Sequence, residues 1–99
     1  MATFITTIKY TQQGVKNIKE TTKRAAALKA SAKKFGAKVA EVYWTMGDVD
    51  GVLIFQAPDD ETAASLLLHI GALGNVQTKS MRAFTAAEMD AILAKVDAG

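Results

Sequence analysis

The sequence predicts an α+β domain, with two helices on one face of a four-stranded antiparallel sheet and a further helix trailing it. Three observations carry that prediction. Segments rich in β-branched and aromatic residues alternate with segments whose apolar residues recur every three or four positions, in the order β-α-β-β-α-β-α. Two of the strands are joined by the short polar turn at residues 47–51, which marks a hairpin. The 99 residues are 49% hydrophobic and 22% charged, enough for one core and one domain spanning residues 1–99.

Residues 3–10 read as a first strand, with Phe4, Thr6, Ile8 and Tyr10 on one face and Ile5, Thr7 and Lys9 on the other. Residues 11–14 break it. A helical pattern covers residues 15–35, with a buried stripe of Ile18, Thr22, Ala25, Leu28, Ala32 and Phe35. A first turn precedes the main helix, Thr21 or Thr22 is a candidate cap, and Gly36 closes the far end. Residues 38–46 alternate Val39, Glu41, Tyr43 and Thr45 against Ala40, Val42, Trp44 and Met46, the pattern of a second strand. Residues 52–57 form the third. Pro58 ends the ladder, and Asp59, Asp60 and Glu61 place carboxylates where the next helix's dipole favours them. That helix buries Ala63, Leu66, Leu67 and Ile70 and ends by Gly71 or Gly74. Residues 75–84 are the fourth strand. Thr85-Ala86-Ala87-Glu88 is a capping box that opens a last helix bearing Met89, Ile92, Leu93 and Val96. This order is the ferredoxin-like arrangement. Every strand offers apolar residues in both directions, so the face away from the two helices is expected to be covered by the last helix or by a second copy.

Composition narrows the function classes. The chain has no cysteine, so disulfides, thiolate metal sites and a cysteine nucleophile are excluded. No apolar run approaches the length that spans a bilayer, and the first residues lack the pattern of a signal peptide, which predicts a cytoplasmic protein with no membrane partner. The mean hydropathy of +0.10 suits a small subunit that buries surface against its own copies. Eight of the twelve basic residues fall between Lys16 and Lys38, and six acids with no Lys or Arg follow between Glu41 and Glu61. The plainer reading of the basic segment is a solvated helix face.

No residue set forms a recognisable catalytic or metal constellation, and no cofactor is expected. His69 is the only histidine and lies off the buried stripe of its helix, so it reads as a surface or interface residue. Gly71-Ala72-Leu73-Gly74-Asn75 ends a helix rather than opening one, which suits a cap and turn and not a phosphate loop. Asp48 and Asp50 sit in the hairpin turn, where their chemistry is that of turns. Tyr43 and Trp44 are adjacent and point to opposite faces, so there is no aromatic platform for nucleic acid, and none is expected as a partner.

The stretches Phe4-Ile-Thr-Thr-Ile-Lys-Tyr-Thr-Gln-Gln-Gly14, Thr45-Met-Gly-Asp-Val-Asp50, Ala57-Pro-Asp-Asp60, Leu73-Gly-Asn-Val76 and Arg82-Ala-Phe-Thr85 resemble the GYD domain family along essentially the whole chain. The resemblance implies a small stand-alone bacterial or archaeal protein with a ferredoxin-like fold of the dimeric α+β-barrel type. It implies no particular activity. Of the Gly, Tyr and Asp signature, Gly47 and Asp50 match, while Val49 stands where the tyrosine is expected, so no role of that phenol is carried over. Related barrels include cofactor-independent monooxygenases, lactone isomerases and effector-binding regulatory domains, an analogy of fold alone.

The leading expectation is a homo-oligomeric small-molecule-binding or regulatory domain, with Lys9, Trp44, Gln56 and Thr78, one from each strand, beside the ligand. The runner-up is a cofactor-independent enzyme of the barrel type with His69 or Asp50 as base. A purely structural assembly subunit is the third reading.

Overall fold

In the computed structural model, which describes residues 1–98, the chain runs β1 (Ala2–Tyr10), α1 (Gln12–Lys16), a 3-10 turn (Ile18–Glu20), α2 (Thr21–Lys34), β2 (Lys38–Trp44), β3 (Gly51–Ala57), α3 (Asp60–Ala72), β4 (Val76–Ala83) and α4 (Ala86–Ala98). The strands form one antiparallel sheet in the order β2-β3-β1-β4. The ferredoxin-like arrangement expected from the element order is therefore the observed one.

The two faces of the sheet follow from register. Phe4 lies opposite Phe55, and Thr6 opposite Leu53 and Ser80. This face receives α2 and α3, and the core forms from Phe4, Leu53, Phe55 and Ala57 against Ala32, Ala63, Leu66 and Ile70. Leu53, Phe55 and Leu66 are fully buried, each worth about 1.5–3 kcal/mol of transfer free energy. The rings of Phe4 and Phe55 stack at 5.2 Å. Among the described residues Thr6 is the buried polar exception, and its hydroxyl is matched by that of Ser80 at 2.6 Å. On the opposite face Ile5 pairs with Ile54 and Met81, and Thr7 with Val52 and Lys79. There Ile5, Val52 and Ile54 are half-buried, while Tyr43 and Met81 are exposed.

Three expectations need correction. The helical region begins at Gln12, not Val15, because Thr11 caps a short α1 by accepting from the Gly14 N–H. Of the expected α2 stripe, Ile18 and Thr22 are exposed; the 3-10 turn changes the helical phase and brings Thr21 inward instead. In β2 a register irregularity between Val39 and Glu41 breaks the simple alternation. Val39 thus faces the helices with Val42, opposite Phe55 and Leu53, while Glu41 and Tyr43 face the open side. A bulge of this kind adds one residue to one strand of a pair.

The helix ends obey local chemistry. Gly36, at φ +81°, closes α2: its N–H bonds Lys33 O at 3.1 Å and the Ala37 N–H bonds Ala32 O at 2.9 Å, the double hydrogen bond of a Schellman end. Asp59 caps α3 by accepting from the Thr62 N–H at 2.7 Å. The capping box of α4 forms as expected, with Thr85 N–H to Glu88 Oε1 at 2.9 Å and Glu88 N–H to Thr85 Oγ1 at 3.2 Å. Beyond that box α4 has very little contact with the domain. Its Met89, Leu93 and Val96 are exposed, and the molecule extends to 52 × 31 × 18 Å. The radius of gyration is 15.1 Å, against about 13 Å for a compact domain of this length.

Candidate functional site

Three segments far apart in sequence meet at one corner of the sheet. Thr11 binds the turn after α3 twice, its N–H to Asn75 O at 3.1 Å and its hydroxyl to Gly74 O at 2.6 Å. Gln13 Nε2 donates to Leu73 O at 3.1 Å and to Asn75 Oδ1 at 3.0 Å. Gly14 is pressed against the same turn, where an added Cβ would lie 2.0 Å from Asn75 O. On the other side of β1, the Asp50 N–H donates to Ile8 O at 2.8 Å and its Oδ2 accepts from the Tyr10 N–H at 2.8 Å. A side-chain carboxylate thus continues the β1–β3 ladder beyond its last backbone pair, Ile8 with Gly51.

Beside this corner, between the sheet and the two main helices, lies a cavity of about 220 Å³. Its walls are mainly apolar, and include Ile8, Leu28, Val42 and Ile70. Small residues leave the room: Ala25 and Gly51 both line it, where larger side chains would fill it. Gly51 is itself required, since a Cβ there would come 2.9 Å from Tyr43 O.

Polar groups are concentrated near the start of α2. Thr21 Oγ1 accepts from Trp44 Nε1 at 3.0 Å and is 2.9 Å from the Tyr10 hydroxyl. This joins the ends of β1 and β2 to the first residue of α2. Arg24, also lining the cavity, donates from Nη1 to Asn17 O at 2.7 Å, while its Nη2 is buried without a hydrogen-bond partner among the described residues. His69 is exposed as expected, with its ring 5.4 Å from that of Phe35, and it too lines the cavity, as does Asp50. Among the described residues no cluster of three or more His, Cys, Asp and Glu is arranged to hold a metal ion, and no helix is long and apolar enough to cross a membrane.

The four side chains expected beside a ligand do not converge. Trp44, opposite Gly51, and Thr78, opposite Ile8, belong to the helix-covered side. Lys9, opposite Gln77, and Gln56, opposite Thr3 and Lys38, belong to the open side. Trp44 lines the cavity described above; Lys9 and Thr78 line a second concavity near the β2–β3 turn; Gln56 lines neither. The residues that sequence reasoning misses are Tyr10, Thr21 and Arg24. In the sequence Thr21 stands out only as a cap, and Arg24 only as one charge in a basic run.

Sheet order, strand register and the convergence of residues 11–14, 50 and 73–75 define a ferredoxin-like α+β domain. The chain belongs to the GYD domain family, which matches residues 4–93. It is 29% identical over 94 residues, covering 94% of this chain and 99% of the relative, to a Thermus thermophilus protein named glutamine synthetase and cystathionine beta-lyase binding protein. Among solved structures it resembles TTHA0845 from Thermus thermophilus, with 26% identity, a TM-score of 0.57, and coverage of 87% of this chain and 96% of that one. It also resembles MtbAldR, at 15% identity and a TM-score of 0.67, a likeness of fold. The match covers 85% of this chain and 53% of MtbAldR, so the chain spans about half the length of that protein.

Proposed function

We propose that this chain is a homo-oligomeric regulatory domain that works by binding rather than by catalysis, and that its partners include metabolic enzymes. The observation that carries the reading is the uncovered apolar surface. Ile5, Val52, Ile54, Tyr43 and Met81 share the open face of the sheet, and α4 projects with Met89, Leu93 and Val96 exposed. Leaving such area in water costs about 25 cal/mol per Å², and monomers rarely present large continuous patches. A second copy is the occupant that fits. The face carries Lys9, Lys38 and Lys79 together with Glu41, so a twofold-related copy offers the same apolar centre and charges of both signs. The helix α4 then reaches across to the partner.

Binding of other enzymes is supported by the relative's name, which refers to glutamine synthetase and cystathionine beta-lyase. Binding rather than catalysis is supported by Asp50, whose Oδ2 is already engaged by the Tyr10 amide.

Sedimentation equilibrium at micromolar concentration tests the assembly. The expected mass is a multiple of 10.5 kDa, and Ile54→Glu, which places a charge in the centre of the open face, is expected to give a folded monomer. A wild-type monomer across the whole range refutes the reading. Titration against purified glutamine synthetase and cystathionine beta-lyase from the same organism, followed by anisotropy, tests the partner class; saturable binding is expected to at least one.

A further inference from the structure

We propose that the cavity between the sheet and α2 is a binding site for a small carboxylate bearing an apolar or aromatic tail. The carboxylate meets Arg24, and the tail lies against Ile8, Leu28, Val42 and Ile70. This rests on the reading of the chain as a binding domain and supplies the chemical class of its ligand.

The donor inventory points to the anion. A guanidinium presents five N–H donors in a planar fork and is always charged. At Arg24, Nη1 reaches Asn17 O, while Nη2 is buried without a partner among the described residues. No acid among those residues neutralises it, since the ion pairs found there are Lys23 with Glu20 and Arg82 with Glu88. Asp50, the carboxylate that lines the cavity, has its Oδ2 on the Tyr10 amide. Of the other donors at this end, the Trp44 indole N–H goes to Thr21 Oγ1, and the Thr21 and Tyr10 hydroxyls share one hydrogen bond, which leaves a single neutral O–H. Arg24 is thus the permanently charged, buried group with donor capacity left over, and a planar two-oxygen anion matches its fork. Outside the cavity Lys23, Lys29 and Lys33 lie exposed along α2, a field that raises the local concentration of anions.

The walls select the rest of the ligand. They are mainly apolar, so a bare oxyanion such as phosphate would leave its remaining oxygens unsatisfied, whereas an apolar tail gains by burial. A cavity of about 150 Å³ accepts benzene, so the 220 Å³ present here takes about nine non-hydrogen atoms on the same scale. That is the size of an aromatic or branched monocarboxylate.

Trp44 is the only tryptophan and lines the cavity, so its fluorescence reports occupancy. Wild-type protein is titrated with benzoate, with its neutral isostere benzamide, and with inorganic phosphate. Benzoate is expected to give a saturable change with an affinity about tenfold above benzamide, the difference an added charge-assisted pair makes, and phosphate is expected to compete poorly. Arg24→Gln, checked by circular dichroism, is expected to bind benzoate no better than benzamide. Amide shifts on benzoate addition are expected to centre on Ile8, Arg24 and Ile70. Equal affinity for benzoate and benzamide in the wild type overturns the proposal and needs no variant. So does phosphate competing as well as benzoate, or a folded Arg24→Gln protein that keeps the benzoate preference. Assembly is read separately by sedimentation, so a failed titration on an intact oligomer removes the ligand and leaves the self-association reading standing.

Discussion

The helices α3 and α4 are each thirteen residues long and each opens with a side-chain cap, yet one is built into the core and the other stands clear of the domain. In α3 the residues Ala63, Leu66 and Ile70 are buried against the sheet. In α4 the equivalent stripe of Met89, Leu93 and Val96 is exposed. Caps and periodicity decide that a helix forms, while the cover offered by other elements decides what it stabilises. In this fold α2 and α3 already fill the helix-receiving face, so α4 has no remaining place on it.

Truncation within the two stripes gives the largest contrast. Leu66→Ala is expected to lower unfolding free energy by about 2–5 kcal/mol, because Leu66 is fully buried and its removal leaves a cavity. Leu93→Ala, placed in the Ile54→Glu background to hold the chain monomeric, is expected to change it by less than about 0.5 kcal/mol. Urea unfolding measures both. A loss at Leu93 comparable to that at Leu66 would mean that α4 packs on its own domain, and the comparison would fail.

A second contrast lies between two glycines in helices. At Gly14 an added Cβ would meet Asn75 O at 2.0 Å and the Tyr10 ring at 3.3 Å. Gly14→Ala is expected to destabilise by about 1–3 kcal/mol, the range for forcing atoms into a packed site. At Gly71, near the end of α3, nothing lies within 4 Å of an added Cβ. There Gly71→Ala is expected to stabilise by about 0.4–1 kcal/mol, through the reduced freedom of the unfolded chain. Thermal unfolding of the pair tests the signs, and the same sign at both positions would contradict the close approach of α1 to the turn before β4.

Much of this architecture was legible in the sequence, and the limits are physical. Element order, the hairpin and the Thr85–Glu88 box rest on signals local to a few residues, and all appear as read; Asp59, expected only as a carboxylate of the first turn, is the cap of α3. Alternation tells which residues of one strand share a face, but not which faces of different strands coincide. That is why Lys9 and Gln56 fall on the opposite side of the sheet from Trp44 and Thr78. The irregularity after Val39 has no signature in its own residues and shows only in the pairing of β2 with β3. Likewise Asp50 lies in an ordinary turn sequence, and only the folded register brings its carboxylate to the Tyr10 amide. The cavity is lined by β1, β2, β3, β4, α2 and α3 together, and no single segment encodes it.

The smallest effect expected separates the two helices by their response to acid. Asp59 titrates below the usual aspartate value of 3.8 because the Thr62 hydroxyl and backbone amide donate to its carboxylate. Glu88 titrates below 4.5, chiefly through the Thr85 amide, with a smaller contribution from Arg82. A carboxyl whose folded value is depressed binds fewer protons than in the unfolded chain, so stability rises with pH through that range. Its contribution is complete above the unfolded value and is lost as pH falls through the folded one. Asn keeps a capping oxygen without the charge, so Asp59→Asn is expected to be less stable than wild type at pH 7, with the gap closing below about pH 4. Both groups are exposed to solvent, which keeps these effects small. In α3 the gap is read in global unfolding, because this helix is part of the core. In α4, Glu88→Gln is expected to leave the unfolding midpoint of the monomeric background unchanged and to speed amide exchange in residues 86–90 alone, since loosening a helix with little contact to the domain costs the core nothing. Equal shifts of the global midpoint by the two substitutions would show that both helices unfold with the core, and the distinction between them would be lost.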